Sequence, residues 1–218
     1  MWYEQWYERY KVDVPEGTSG DWSIERFTVG RDAAKLESLR ASISPSSGGR
    51  GSIRAGSYTR LKRKGTRSPI MSDTSDEIMD HYDFMRSASG AVLVAGLGLG
   101  MVLQGLLNKP EVTHVTVIEK SPDVIALVKA HYETKFGTDR FDIVCDDIFT
   151  YKPPKGVVWD WAWFDIWDNI CEENRKEFSK LRRKFGRRCP SKYFWCEKQI
   201  ELEHARQKRN KKRYHYYF

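Results

Sequence analysis

The chain has 218 residues, 40% of them hydrophobic and 13% aromatic, which suits one domain with a substantial core. Its formal net charge is +7, but residues 180–213 hold 14 Lys/Arg against 3 Asp/Glu, a local +11 that leaves −4 for the remainder, so the basicity belongs to the C-terminal part. No apolar run reaches the ~18–20 residues that span a bilayer, the acidic and aromatic start MWYEQWYERY does not have the form of a secretory leader, and four cysteines without a C-x-x-C pair or companion histidines do not make a zinc or other metal site. A cytoplasmic protein with reduced thiols is the expectation.

Along the chain, Trp2/Trp6 and Tyr3/Tyr7 at i,i+4 spacing predict a short amphipathic helix or an aromatic arm. PEGTSGD (15–21) reads as a turn, and residues 31–41 as a helix with Ala34, Leu36 and Leu39 available for packing. Residues 42–56 are rich in Ser and Gly without an apolar period, which predicts a flexible loop. YTRLKRKG (58–65) reads as one arm of a hairpin turning near Gly65. SDTSDEIMDHYDFM (72–85) starts with cap candidates and continues as a helix with Ile78, Met79, Tyr82 and Met85 on its apolar side.

From residue 89 the pattern is regular. GAVLVAGLG reads as a buried strand, GMVLQGLLN as a helix closed by Lys109-Pro110, and HVTVIEK as a second strand. SPDVIALVKAHYETKFG follows as a helix with Ser121 as N-cap, Pro122 at the first helical position and Gly137 past its end. RFDIVCDDIF and VVWDWAWFDIW supply a third and a fourth strand, CEENRKEFSKLRRKFG a helix, and SKYFWCEK a fifth strand followed by a charged helix. Strands alternating with helices predict an α/β fold with a doubly wound, mostly parallel sheet, and strands buried on both faces appear as continuous apolar runs, as these do.

In such sheets ligands bind beyond the carboxyl ends of the strands. The first strand ends in Gly96, Gly98 and Gly100; the second in Glu119, where a carboxylate suits the two hydroxyls of a ribose. The third ends in Asp146-Asp147, and the fourth in Asp165 with Asp168 just beyond. A dinucleotide site prefers G-x-G-x-x-G, and Met101 stands where its third glycine belongs.

The stretches VLVAGLGLGMVLQGLL, VTVIEKSPDVIALVKAHY, FDIVCDDIF and WDWAWFDIWDN resemble class I S-adenosylmethionine (SAM)-dependent methyltransferases, and within that superfamily they are most similar to the spermidine synthase-like branch. YTRLKRKGTRSPIMSDTSDEIMDH resembles the segment that precedes the Rossmann unit of aminopropyltransferases, so the resemblance covers residues 58–170. It implies that Gly96, Gly98 and Gly100 pass beneath the methionine and ribose of SAM, that Glu119 holds the ribose hydroxyls, and that Asp147, with Asp146 as the alternative, accepts from the adenine amino group while Ile148 packs on the ring. Asp165 matches the amine-deprotonating base of the branch, or contacts the cofactor, and Asp168 matches its polyamine-binding partner. Leu99 stands in place of an Asp in the glycine loop, KGTRS in place of D-G-x-x-Q, and Asn169 in place of a Pro after D-x-x-D, so polyamine synthesis is not the expectation.

The implied domain plan is an N-terminal extension with a flexible loop (1–57), a strand and helix lead-in (58–88), a SAM-binding Rossmann-like domain (89–200) and a basic C-terminal tail (201–218). The sheet is expected to lack the antiparallel hairpin with which the methyltransferase fold usually ends. The implied activity is methyl transfer from SAM to a small-molecule, protein or nucleic-acid acceptor. Two alternatives stand beside it: aminopropyl transfer or another reaction of a SAM-like nucleoside, and a non-catalytic SAM-fold module that binds nucleic acid through its basic tail.

Overall fold

The computed structural model of the protein describes residues 7–43 and 53–215. In chain order the elements are β1 (Gly17–Ser19), β2 (Trp22–Val29), α1 (Arg31–Ile43), β3 (Gly56–Arg63), β4 (Met71–Ser72), α2 (Ser75–Ser87), β5 (Gly90–Ala95), α3 (Met101–Leu107), β6 (Val112–Glu119), α4 (Pro122–Phe136), β7 (Phe141–Cys145), β8 (Trp161–Phe164), α5 (Asn174–Lys184), β9 (Ser191–Phe194) and α6 (Glu197–His215). The fold is α/β and doubly wound, and the expected parallel sheet is present with five strands in the order β7-β6-β5-β8-β9. Strand order reverses between β5 and β8, which is where such sheets open a crevice.

The period-two alternation of the strands divides two cores. Val92, Val94 and Trp163 face one side, packed with Ile78, Phe84, Leu103 and Val128. Leu93, Ala95, Ala162 and Phe164 face the other, packed with Phe178, Leu181 and Phe185. Each face is therefore covered, which explains why these strands carry so few polar residues. Among the described residues the sheet ends at β9 and the chain continues as α6.

A second sheet, antiparallel in the order β1-β2-β3-β4, lies before the parallel one in sequence and joins the same core through Ile24, Tyr58 and Leu61. β2 and β3 pair along eight residues, from Trp22 opposite Arg63 to Val29 opposite Gly56, so the strand of the extension and the strand of the lead-in share one sheet. The expected turn at 15–21 is the hairpin of β1 with β2, and the arm at 58–65 does turn near Gly65, towards β4.

Local signals explain the α4 boundaries. The Ser121 hydroxyl accepts from the Val124 N–H, Pro122 opens the helix, and Gly137 closes it at φ +73°. Two expectations for packing need correction. In α1, Leu36 and Leu39 are 49% and 57% exposed instead of packed. In α2 the buried side is Ile78, His81, Phe84 and Met85, and Met79 points outward, because the stripe follows the 78–81–85 positions of the helix. Trp2, Tyr3 and Trp6 of the expected aromatic helix or arm, and residues 44–52 of the Ser/Gly loop, lie outside the described residues. Among the described residues no helix is long and apolar enough to cross a membrane, and no His/Cys/Asp/Glu group could hold a metal ion.

Candidate active site

A cavity of about 550 Å³ opens at the carboxyl edge of the parallel sheet, and the ends of β5, β6, β7 and β8 all contribute to its wall. Gly96, Gly98, Glu119, Asp146, Asp147, Ile148, Asp165 and Asp168 line it. Among the residues expected at a site, Gly100 is the exception. It caps α3 in the left-handed region, and a Cβ there would enter the ring of Tyr132, whose hydroxyl donates to the Leu99 carbonyl. Gly100 thus packs the back of the loop.

The glycine loop is held open by close backbone approach. Gly96 has φ +94°, and a Cβ on it would collide with the Asp165 carbonyl oxygen. Position 96 therefore needs glycine both for its conformation and for the contact between the β5 and β8 ends. Gly98 lies against the Met71 thioether, which also accepts from the Leu99 N–H at 3.4 Å.

Glu119 ties two turns together. One carboxylate oxygen accepts from the Leu97 N–H at 2.7 Å and the other from the Ser121 N–H at 2.8 Å. Each oxygen has two lone pairs, so each retains an acceptor position. At the end of β7, one oxygen of Asp146 accepts from the Asp147 N–H at 2.7 Å. Asp147 accepts from Lys120 at 2.8 Å and from the Phe149 N–H at 2.9 Å, and these bonds, led by Lys120, hold its pKa below the ordinary carboxylate value. Ile148 is buried beside them.

The two aspartates after β8 differ sharply. Asp168 accepts from Arg63 at 2.6 Å, with both side chains well exposed, and the Arg63 guanidinium also lies over the Trp22 ring. Asp165 is enclosed, with its side chain 23% exposed. Burial, followed by the nearby negative charge of Glu77, raises its pKa to about 7. His81, fully buried, brings its Nε2 to 3.7 Å from the Asp165 carboxylate. Trp167 forms part of the wall; its ring packs on Phe178 and its indole N–H donates to Glu177 at 2.5 Å.

Trp22, Arg63, Met71 and Glu77 reach this cavity from the antiparallel sheet and α2, and sequence reading missed them as site residues. Glu77 has the appearance of a helix-start acid, and only the fold carries it to Asp165, 88 positions away. Arg63 stands in the basic run RLKRK at residues 60–64, and nothing there singles it out.

The raised pKa of Asp165 makes stability depend on pH. Between about 4 and 7 the folded chain holds this proton while the unfolded chain, with an ordinary value of 3.8, does not. Stability therefore falls as pH rises through that window, by at most about 1.4 kcal/mol per pH unit, and levels off above it. Asp165→Asn removes the fall: urea titrations are expected to show the variant and the parent converging near pH 4 and the variant the more stable at pH 8. Parallel curves at both pH values would refute the assignment.

No family model matches the chain, and no curated protein matches it. Solved structures similar to it include a dimethyladenosine transferase from Plasmodium falciparum, at 24% identity and TM-score 0.34, over 45% of this chain and 30% of that one. The mitomycin 7-O-methyltransferase MmcR aligns at 15% identity and TM-score 0.42, over 54% and 34% of the two chains. TrmK of M. capricolum, solved with S-adenosylhomocysteine, aligns at 7% identity and TM-score 0.44, over 52% and 49%. The chain thus spans 30% to 49% of the length of these proteins.

Proposed function

We propose that the protein binds SAM in the cavity and transfers its methyl group to an acceptor placed beside Asp165. The observation that carries this reading is the convergence of four strand ends on one space of about 550 Å³, a volume within the range of cofactor sites. The residues fit the group. Gly96 and Gly98 line the cavity at the end of β5 without side chains of their own, a wall suited to the methionine portion. Glu119, pinned by two backbone N–H groups yet with acceptor capacity left, suits the ribose hydroxyls. Asp147, or Asp146 beside it, suits the adenine amino group, with Ile148 against the ring.

SAM supplies a methyl group already activated by its sulfonium. The protein's own part is to align the acceptor and to manage one proton. Asp165 is the group suited to both tasks: it lines the cavity beside Gly96, and its raised pKa makes it a base of useful strength near neutrality. Aminopropyl transfer to a diamine is less well supported, because Asp168, the second acid of the D-x-x-D pair, is already engaged by Arg63.

Isothermal titration with SAM and with S-adenosylhomocysteine tests the reading. Saturable binding of both is expected. Absence of both would exclude it, and tighter binding of decarboxylated SAM than of SAM would favour the aminopropyl alternative.

A further inference from the structure

α5 and α6 lie side by side in opposite directions. Glu172 meets His204, Arg175 meets Glu201, and Arg182 meets Glu197. These pairs consume acids of α6 and of the loop before α5, and Glu177 is turned towards Trp167. The core face of α5 is Phe178 and Leu181, followed by Phe185, all buried. The face opposite is exposed and carries Lys176, Lys180 and Arg183, at i, i+4 and i+7.

The row continues past the helix. Arg187 is exposed in the following turn, and Arg188 donates to the Pro154 and Val157 carbonyls, which fixes the loop bearing exposed Lys155 at the same end. Glu173, one turn before Lys176, is the acid that faces the row at its start. At that start the chain has just left the loop that carries Asp165 and Asp168. α6 passes the same loop at His204 and then presents exposed Arg206, Lys208 and Arg209.

We infer that the outer face of α5, with Lys155 and Arg187 at one end and the Arg206–Arg209 turn of α6 at the other, is a docking surface for the phosphate backbone of a nucleic acid. Charge complementarity carries the inference: cations in a row, about 6 and 4.5 Å apart along the helix axis, suit a line of phosphates. A membrane surface is a poorer match, since the apolar face of α5 is buried and none remains to enter a bilayer. The surface is distinct from the cavity, and the inference holds whether or not the cavity transfers a methyl group.

Fluorescence anisotropy with labelled single-stranded RNA and duplex DNA of about 20 nucleotides tests it, with phosphatidylserine vesicles as the competing surface. The full chain is expected to bind nucleic acid with an affinity that falls linearly on a log–log plot against salt. K180Q/R183Q/R187Q is expected to weaken binding tenfold or more and to flatten the slope by about 2 to 3, from roughly 0.9 per phosphate contact on duplex DNA and 0.7 on single strands. These side chains are exposed, so the thermal melt of the variant should match the parent. Absence of nucleic-acid binding at low salt would overturn the inference. So would parental affinity in this variant, including the case where only R206Q/K208Q/R209Q loses binding, or capture of vesicles without nucleic acid.

Discussion

Glu119→Ala is expected to lower the affinity for S-adenosylhomocysteine by about a hundredfold or more, the largest effect on binding of any single carboxylate in the cavity. Two contributions combine. Under the proposed function the variant loses the acceptor for the ribose hydroxyls, and hydrogen bonds to a charged group contribute about 1.5–3 kcal/mol each. It also strands the Leu97 and Ser121 N–H groups, which Glu119 accepts at 2.7 and 2.8 Å, so the glycine loop and the turn into α4 lose their common anchor. Glu119→Gln separates the two. Its one carbonyl oxygen can keep one of these N–H groups while its amide NH2 opposes the other, so an intermediate loss, about tenfold, is expected by calorimetry. Parental affinity in Glu119→Ala would show that this residue does not hold the ligand.

Gly96→Ala is the substitution expected to cost the most stability. A residue with a Cβ at φ +94° carries strain of about 1–2 kcal/mol. The added methyl also meets the Asp165 carbonyl, a backbone atom that cannot swing aside as a side chain could, and overpacking of this kind costs about 1–3 kcal/mol more. For a chain of this size that total corresponds to a fall in Tm of roughly 5–15 °C. Gly30→Ala is the matched control, because nothing lies within 4 Å of a Cβ there, and it should melt close to the parent. Gly98→Ala should fall between them, since the atom it meets is the flexible thioether of Met71. If Gly96→Ala and Gly30→Ala melt together, the close approach of the β5 and β8 ends is not a constraint on the fold.

The parallel half of the molecule was legible because its physics is local and repetitive. Val92 to Ala95 and Trp161 to Phe164 are apolar at every position because both faces of their sheet are covered, and Ser121-Pro122 announces a helix start by a bond made within four residues. The antiparallel half was not. β2 mixes apolar positions with Glu25 and Arg26, and its polar side is stabilised by Glu25 reaching Arg60 and Lys62 on β3, 35 and 37 residues away. The whole of α1 and more lies between those partners in sequence, so no short window contains the pattern. The site followed the same division. Residues at the ends of the parallel strands were legible from the apolar runs that lead to them and, for Ile148, from the family resemblance, and all of them but Gly100 line the cavity. Glu77, Arg63 and Trp22 are brought in by packing between the two sheets, and spacing carries no trace of that. The acidic pair after β8 could be seen but not its division, which depends on Arg63 engaging Asp168 and on enclosure leaving Asp165 to ionise near neutrality.

That enclosure has a consequence for ligand recognition. With its pKa raised to about 7, Asp165 makes the charge of the cavity a variable and not a constant: its protonated and ionised forms coexist near neutrality. A cationic ligand arriving next to this group would expel that proton, and the ejected proton and the bound cation would then be two sides of one exchange. Under the proposed function, acidity of the surroundings would act on the cavity as a competitor acts, with hydrogen ion and the sulfonium contending for the same carboxylate.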